Sequence, residues 1–312
     1  MGLRVAIMTD ETGWHTRQLQ AALRERGAVG RCIDLAACRI DTPAAWHGLA
    51  IPGFGRELPD AVLVRGIAGG SFEQVTKRLG VLHALRELGV PVYNDARAIE
   101  RSVDKSMTSL LLHAARIPTP PTWATESLAE VQRIVSRESA AGHALVLKPL
   151  FGSQGKGLMR VGRVDGVHHP LPVLGAECGG LAYLQRFIAP TTAPGFDWRV
   201  LVIGGRAVAA MRRMSEHWIH NVAQGAQCEP AVLSRDLARL AEQAAQALDM
   251  DYAGVDLMPA GDGAPIQVIE VNGVAAWQGL QRVSSLNIAR AIVADLLDRK
   301  LAVARGAAAR RA

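Results

Sequence analysis

Two carboxylates and an amide lie on two neighbouring apolar segments near residue 260. In YAGVDLMP and PIQVIEVN, Asp256 and Glu270 are equally far from Gly263, so a symmetric hairpin would place them opposite each other. Asn272 follows two residues later on the same face, whereas alternation assigns apolar neighbours such as Ile269 to the other face. An all-oxygen set of this kind suits Mg²⁺ carried with substrate phosphates, with Mn²⁺ as an alternative. A solvated sheet face is the other interpretation of the same pattern.

A loop rich in glycine and lysine separates two strand-like segments in VLKPLFGSQGKGL, residues 146–158. Its glycines allow the main chain to approach an anion such as phosphate. Lys156 is followed by Gly157 and strand-like residues, which excludes the phosphate loop that ends in Lys-Ser or Lys-Thr before a helix. IPGFGREL has Leu58 where a dinucleotide fingerprint requires its third glycine. The loop therefore belongs to another nucleotide-binding design or is a solvated hairpin tip.

Two further lysines occupy positions where an anion would stabilise them. Lys148 lies within an otherwise apolar strand, and burying a lone ammonium is costly unless an anion compensates it. Lys105 follows Ser-Val-Asp at a helix start, where a phosphate meets free backbone N–H groups. Taken singly, each is more often a surface lysine.

The composition is that of a globular protein, because 49% of the 312 residues are hydrophobic and 21% are charged. No apolar run approaches the ~20 residues of a membrane span, and the acid in MGLRVAIMTDE argues against a signal peptide, so we expect a cytoplasmic protein. The net charge of +6 is not gathered into a basic stripe, which disfavours nucleic acid and suits small anions such as ATP. The cysteines form no C-x-x-C pair, which indicates reduced thiols and no zinc site: Cys32, Cys38, Cys178 and Cys228. The oligomeric state, a homo-oligomer included, is left open.

The chain changes character near its first third. Strands LRVAIMTD, DAVLVRG and VPVYND alternate with helical segments, which predicts a parallel α/β unit over residues 1–95. SVDKSMTSLLLHAARI is predicted as a helix that ends at a proline cluster. Antiparallel strands and one amphipathic helix follow, in this order: a hairpin at 146–161, LAYLQRFI, DWRVLVIGG, AVAAMRRM, LSRDLARLAEQAAQALDM and the hairpin around AGDGA.

The order of these motifs resembles the RimK-type branch of the ATP-grasp carboxylate–amine ligases. The similar segments run over about residues 95–295: SVDKSMTSLLL, IPTPP, LVLKPLFGSQGKG, LQRFI, FDWRVLVIGGRAVAAMRR, a polar HN, YAGVDLM and VIEVNG. The resemblance implies an ATP-grasp fold, α/β and α+β, with an N-terminal α/β (pre-ATP-grasp) domain. It implies three segments: the N-terminal domain at 1–95, a small subdomain with a glycine-rich flap at 96–183, and a C-terminal subdomain with the metal site at 184–300. The alanine-rich sequence RGAAARRA predicts a disordered tail at 301–312.

The resemblance also implies roles for residues at matching positions. It makes Lys105 and Lys148 ATP-binding lysines, and Lys148 and Arg199 catalytic groups beside the reacting phosphate. The remaining nucleotide contacts are the flap Gly152, Ser153, Gln154, Gly155, Lys156 and Gly157, the adenine hinge Gln185, Arg186, Phe187 and Ile188, and the polar residues Asp197 and Asn221. The metal ligands are Asp256, Glu270 and Asn272.

The implied activity is amide formation through an acyl phosphate, with ATP converted to ADP and phosphate. The added amino acid is expected to be one such as glutamate, and the acceptor a small-molecule cofactor or a peptide. A catalytically silent ATP-binding regulator and a ligase acting on a ribosomal protein are the alternatives. The intact set Asp256, Glu270 and Asn272 favours an enzyme.

Two segments depart from the pattern of the glutamate-adding members. Ile219-His220-Asn221 stands in place of Arg-Ser-Asn, and EVNGVAAWQGLQ lacks the usual Pro-Gly turn. Each segment contains or adjoins a tryptophan, Trp218 or Trp277. The sequence therefore suggests two aromatic faces on one side of the cleft, able to stack on the ring of an aromatic acceptor such as a pterin. Packing in the core is the other interpretation of both residues.

Overall fold

The structure is a computed structural model that describes residues 2–152, 154–173, 180–261 and 264–309. Ser153 and Cys178 lie outside these residues. The described chain forms one four-stranded sheet, two five-stranded sheets and a two-stranded ribbon. None of the described helices combines the length and the hydropathy that crossing a bilayer requires.

The N-terminal domain is a parallel sheet in the order β2-β1-β5-β6. Its elements are β1 (Arg4–Met8), α1 (Trp14–Glu25), β2 (Val29–Ile33), the ribbon β3 (Arg39–Ile40) and β4 (Leu49–Ala50), β5 (Ala61–Val64), α2 (Phe72–Glu87) and β6 (Val92–Tyr93). The predicted α/β unit is thus confirmed. Strand β2 was not predicted, because it lies at the sheet edge and its sequence VGRCI is mostly exposed or half-buried.

The two faces of this sheet pack against different partners. Alternate residues, among them Ile7, join α1 and residues of the C-terminal part of the chain such as Ile288 in one core. The other face packs on α2, for example through Val62 against Leu85. The N-terminal domain is therefore joined to the rest of the chain through a shared hydrophobic core.

The second unit is an antiparallel sheet in the order β10-β9-β8-β11-β7, here called the flap sheet. Its elements are α3 (Ala96–Val103), α4 (Lys105–Ala114), β7 (Thr122–Thr125), α5 (Leu128–Ala140), β8 (Leu145–Lys148), β9 (Met159–Val164), β10 (Val167–His169) and β11 (Ala182–Arg186). The hairpin at 146–161 is confirmed by the pairing of β8 with β9. The boundary predicted after residue 183 lies inside β11.

Helices α3 and α4 divide the helix that was predicted over residues 102–117. The break lies at Asp104, whose carboxylate accepts hydrogen bonds from the backbone N–H groups of Ser106 and Met107 at 2.8 and 3.0 Å. This capping starts α4 at Lys105.

The third unit is an antiparallel sheet in the order β14-β13-β12-β15-β16, here called the acid sheet. Its elements are β12 (Gly195–Ile203), β13 (Arg206–Ser215), β14 (Gln227–Pro230), α6 (Arg235–Ala247), β15 (Tyr252–Met258) and β16 (Gln267–Asn272). Helices α7 (Gln278–Val283), α8 (Ile288–Ala294) and α9 (Leu301–Ala309) follow, with a π-helical segment at Asp295–Lys300. The tail expected to be disordered is therefore helical over Leu301–Ala309.

We expect the packing of α6 to determine the stability of the acid sheet. Leu240 is 3% exposed and packs in the core that α6 shares with β12, β15 and β16. Its replacement in Leu240→Ala removes buried methyl groups and should lower the free energy of unfolding by about 2–5 kcal/mol. Chemical denaturation measures the loss. Leu110→Ala is the control, since Leu110 is 58% exposed on α4, and an equal loss in both variants would contradict this account.

Candidate functional site

A cleft lies between the flap sheet and the acid sheet. It brings together fourteen of the residues predicted for the site: Lys105, Lys148, Gly152, Gln154, Gly155, Lys156, Gln185, Arg186, Phe187, Ile188, Asp197, Asn221, Asp256 and Glu270. Arg199, Asn272 and Gly157 do not line it, and Ser153 lies outside the described residues. The two hairpins singled out in the sequence therefore face each other across one cavity.

Lys148 is held in its apolar strand by an amide. Its ammonium donates to Oε1 of Gln185 on neighbouring β11 at 2.6 Å. Burial lowers the pKa of Lys148 to about 8, while Glu270 opposes and Lys105 adds to that shift. The amide oxygen orients the ammonium without cancelling its charge, so Lys148 still presents a cation to the cleft.

Arg186, which follows Gln185 in the predicted adenine hinge, is held by a buried acid. Glu138 on α5 is 5% exposed and accepts from Nε and Nη2 of Arg186 at 3.2 and 2.7 Å. Arg137 donates to the other carboxylate oxygen. Glu138 was not predicted as part of the site, because nothing in an amphipathic helix marks one acid as the partner of a distant strand.

Lys105 joins the beginning of α4 to the base of the flap. Its ammonium donates to the backbone oxygens of Gly152 and Leu150 at 2.6 and 3.4 Å, and Glu270 Oε1 lies 3.7 Å away. Lys105 therefore lies between the glycine-rich loop and one of the predicted metal ligands.

The tip of the flap contacts the loop that follows β13. A side chain at Gly155, whose φ is +69°, would come within 2.8 Å of Ile219 Cγ2. Gln224 donates to the backbone oxygen of Gln154 at 3.2 Å. Glycine at 155 is thus required both by its backbone conformation and by this close approach.

Four charged side chains form a buried network at the bottom of the cleft. Arg199 donates both Nε and Nη2 to Asp256, the latter at 2.7 Å. Arg213 donates to Asp197 at 2.7 and 2.5 Å and also lies 3.0 Å from Asp256. Burial raises the pKa of Asp256, but the two guanidinium groups outweigh burial and hold that pKa below its usual range. The acid therefore stays ionised at neutral pH.

Arg213 lines the cleft, whereas the predicted Arg199 lies against Asp256 without lining it. Arg213 was not predicted, although it is directly opposite Asp197 across β12 and β13. If the two strands paired without a bulge on either side of the Gly204-Gly205 turn, Arg212 would lie opposite Asp197. A bulge between Leu201 and Val202 shifts the register by one residue.

The predicted pairing of Asp256 with Glu270 across β15 and β16 is present in the structure. A bulge follows Asp256, so that Leu257 pairs with Val268 and Ile269 is displaced from simple alternation. Ile269 consequently lines the cleft, and its predicted place on the opposite face is wrong.

The donor set fits Mg²⁺ bound together with phosphates. Asp256 and Glu270 supply carboxylate oxygens, and Asn272, which donates to Gly254 O at 3.2 Å, has an amide oxygen to contribute. Among the described residues, no three His, Cys, Asp or Glu side chains are close enough to hold an ion by themselves. Mg²⁺ usually keeps several waters and takes phosphate oxygens as ligands, so two carboxylates and an amide can hold it together with a nucleotide.

The segment at 218–221, where the sequence differs from the glutamate-adding pattern, lines the cleft. Asn221 accepts from the backbone N–H of Ala223 at 3.0 Å and starts a short 3₁₀ turn. His220 is 4% exposed, and burial, with Arg213, lowers its pKa to about 4. The segment therefore presents a neutral ring and an apolar Ile219 where the glutamate-adding pattern has a cation.

The expectation that Trp218 and Trp277 lie on one side of the cleft is wrong. Trp277 is 1% exposed and packs edge-to-face on Trp14 and His15, with ring centroids 4.9 and 4.8 Å away. Helix α1 of the N-terminal domain covers it. Trp218 does line the cleft, with Phe187 at 5.9 Å and the guanidinium of Arg160 at 5.5 Å.

Residues 3–99 match the RimK PreATP-grasp domain, and residues 102–296 match the RimK-like ATP-grasp domain. A tetrahydromethanopterin:alpha-L-glutamate ligase of Methanocaldococcus jannaschii is 35% identical over 242 residues, 77% of this chain and 79% of that protein. The protein of the same name from Methanococcus maripaludis is 33% identical over 301 residues, 95% of this chain and 98% of its own. The structure of ATP-grasp ligase PsnB with a phosphomimetic variant of minimal precursor, Mg and ADP aligns with a TM-score of 0.68 at 19% identity, covering 96% of this chain and 98% of that one. These similarities confirm the predicted ATP-grasp fold.

We expect ATP affinity to fall as the pH rises through about 8, because Lys148, whose pKa is about 8, then loses the proton that attracts phosphate. Titration calorimetry between pH 7 and 9.5 measures this. Lys148→Met should bind more weakly than wild type at pH 7 and show little further change. Lys300→Ala is the control, since Lys300 pairs with Asp251 at 2.7 Å, and it should keep the wild-type profile. A flat wild-type profile would remove Lys148 from the nucleotide site.

Proposed function

This chain belongs to the family of RimK-like ATP-grasp proteins, and from that membership we propose that it is an ATP- and Mg²⁺-dependent ligase that adds glutamate to a carboxylate of a pterin-type cofactor. The proposed acceptor rests on the similarity to two proteins named tetrahydromethanopterin:alpha-L-glutamate ligase, each matched over more than three quarters of its length. The cytoplasmic location expected from the sequence is part of the proposal.

In the first step, an oxygen of the acceptor carboxylate attacks the γ-phosphorus of ATP. The bond to the bridging oxygen breaks, ADP leaves with the electron pair, and an acyl phosphate forms. Lys105, Lys148 and Lys156 line the cleft as cations that can neutralise the phosphate oxygens. Arg213 also lines the cleft and can contribute to this neutralisation. Its contacts with Asp197 and Asp256 hold the guanidinium in place.

In the second step, the amine of glutamate attacks the acyl carbon and phosphate leaves. The amine loses its proton, so the products are an amide, ADP and phosphate. No protein nucleophile is required. Catalysis then rests on holding the reactants together and neutralising charge.

Mg²⁺, when bound by Asp256, Glu270 and Asn272, would supply charge neutralisation at the phosphates. The chain's own contribution is to hold the two carboxylates opposite each other across β15 and β16. Asp256 is further oriented by Arg199 and Arg213.

Two other functions make different predictions. A silent ATP-binding regulator would bind ATP without consuming it, and a ribosomal-protein ligase would prefer a peptide terminus. The pairing of Asp256 with Glu270 across β15 and β16, with Asn272 two residues further on, favours the enzyme over the regulator. Ile219, which replaces the arginine of the glutamate-adding pattern, and the adjoining Trp218 line the cleft and favour an acceptor other than the peptide.

The test is ADP release with Mg²⁺ and glutamate, comparing tetrahydromethanopterin with a flexible peptide that ends in glutamate. We expect release to require both glutamate and the pterin, with a product heavier by one or more glutamyl residues in mass spectrometry. Turnover with the peptide alone would favour the ribosomal-protein alternative. ATP binding without turnover across a panel of acceptors and amino acids would favour the regulator.

We expect Glu270→Gln to lower kcat by at least about a hundredfold, the scale of losing one preorganised charged group. Because Glu270 is half-buried and faces the cleft, the thermal unfolding temperature of the Glu270→Gln variant should stay close to that of wild type. Asp256→Asn should lose activity as well, but it also leaves two buried arginines unbalanced and should destabilise the fold by about 3–5 kcal/mol. Wild-type turnover in Glu270→Gln would contradict the metal assignment.

A further inference from the structure

Asn94 lies just after β6 and is completely buried. Its amide nitrogen donates to the backbone oxygens of Tyr252 and Gly273 at 2.7 and 2.6 Å. Its oxygen accepts from the backbone N–H groups of Asp251 and Tyr252 at 2.7 and 3.0 Å. An asparagine side chain has two N–H donors and two acceptor lone pairs, so every hydrogen bond that Asn94 can make is made.

These four bonds close the open end of the hairpin that carries the acids. Tyr252 is the first residue of β15 and Gly273 follows the last residue of β16. The last pair of the ladder is Gly254 with Asn272, so beyond it Asn94 takes the place of a direct bond between the strands. The side chain of an N-terminal-domain residue thereby sets the separation of the two strands next to Asn272.

The space beside the Cα atom of Gly273 is filled as well. A side chain at 273 would come within 2.7 Å of Ser102 Oγ and 3.0 Å of Met250 Cε. A residue larger than glycine at 273 would therefore require Ser102 and Met250 to shift.

Two further N-terminal-domain side chains bind the backbone after Gly273. Arg65 donates to Val274 O at 3.0 Å, and His15 accepts from the backbone N–H of Trp277 at 3.1 Å. The segment that follows the predicted metal ligands is thus held by Asn94 and Arg65, which lie just after β6 and β5, and by His15 in the first turn of α1.

We propose that Asn94 is a positioning residue for the metal site, which ties the N-terminal domain to the separation of Asp256 and Glu270. This inference rests on the proposed function, because it takes those acids as metal ligands. Loss of the donors of Asn94 would let β16 move relative to β15 at Asn272. The Mg²⁺-dependent part of ATP binding would then weaken, while the contacts made by the flap and hinge remain.

The experiment measures ATP affinity by calorimetry with Mg²⁺ and with EDTA, and takes the ratio of the two dissociation constants. Asn94→Asp is nearly isosteric and keeps an acceptor oxygen, but it lacks the two N–H donors. An ionised carboxylate has no hydrogen to donate to Tyr252 O and Gly273 O, and a protonated carboxyl has only one for the two oxygens. We expect this variant to reduce the Mg²⁺ enhancement by about tenfold, as outer partners of metal ligands do, with ATP affinity in EDTA unchanged.

Tyr93→Phe is the matched control. The neighbouring Tyr93 donates to Asp295 Oδ2 at 2.6 Å, so its loss loosens the same domain contact without touching Gly273. It should keep the wild-type ratio. Gly273→Ala adds a methyl group against Ser102 and Met250, which should shift the same carbonyl and reproduce the Asn94→Asp effect if that variant proves too unstable to measure.

The outcomes separate this inference from the proposed function. A wild-type ratio in both Asn94→Asp and Gly273→Ala would overturn the positioning role alone. An equal fall in Tyr93→Phe would also overturn it, because general loosening would then explain the effect. Wild-type protein whose ATP affinity is indifferent to Mg²⁺ would overturn the metal site itself.

Discussion

The bottom of the cleft depends on four buried charges that are stable only together. Asp197, Arg199, Arg213 and Asp256 come from β12, β13 and β15, and each acid is matched by a guanidinium on a neighbouring strand. A buried charge that loses its partner is strongly destabilising. A slip of one residue between these strands would separate the pairs and turn the side chains to the other face. The network therefore restricts the acid sheet to one register.

Above this neutral network, the cleft keeps an uncompensated positive charge. Lys148 is oriented by an amide oxygen and Lys105 by two backbone oxygens, with only a 3.7 Å approach to Glu270. Neutral partners fix an ammonium in place without cancelling its field. The two kinds of cation thus have different roles. The arginines are paired with acids and stabilise the sheet, whereas the lysines are held by neutral oxygens and remain available to an anion.

Local counting predicted the features that depend on regular pairing. The pairing of Asp256 with Glu270, the flap hairpin and the parallel N-terminal sheet follow from spacing and alternation. Ile269 was assigned to the wrong face and Arg213 was overlooked, because a bulge in each hairpin shifts the pairing of the two strands by one residue. Trp277 and Asn94 depend on how the N-terminal domain docks, and no local pattern contains that information. The family resemblance placed the cleft residues, but not the hydrogen bonds that orient them.

The contacts of Asn94 also bear on the order in which the chain is completed during translation. Its partners lie 157 to 179 residues further along the chain. The N-terminal sheet can fold as soon as it leaves the ribosome, since domains generally fold as units and in order of synthesis. The amide of Asn94 then stays exposed to water until residue 273 has emerged. The cleft is thus one of the last parts of the protein to form during synthesis. Until residue 273 has emerged, the nascent chain exposes the face of its first domain that later docks on the acid sheet.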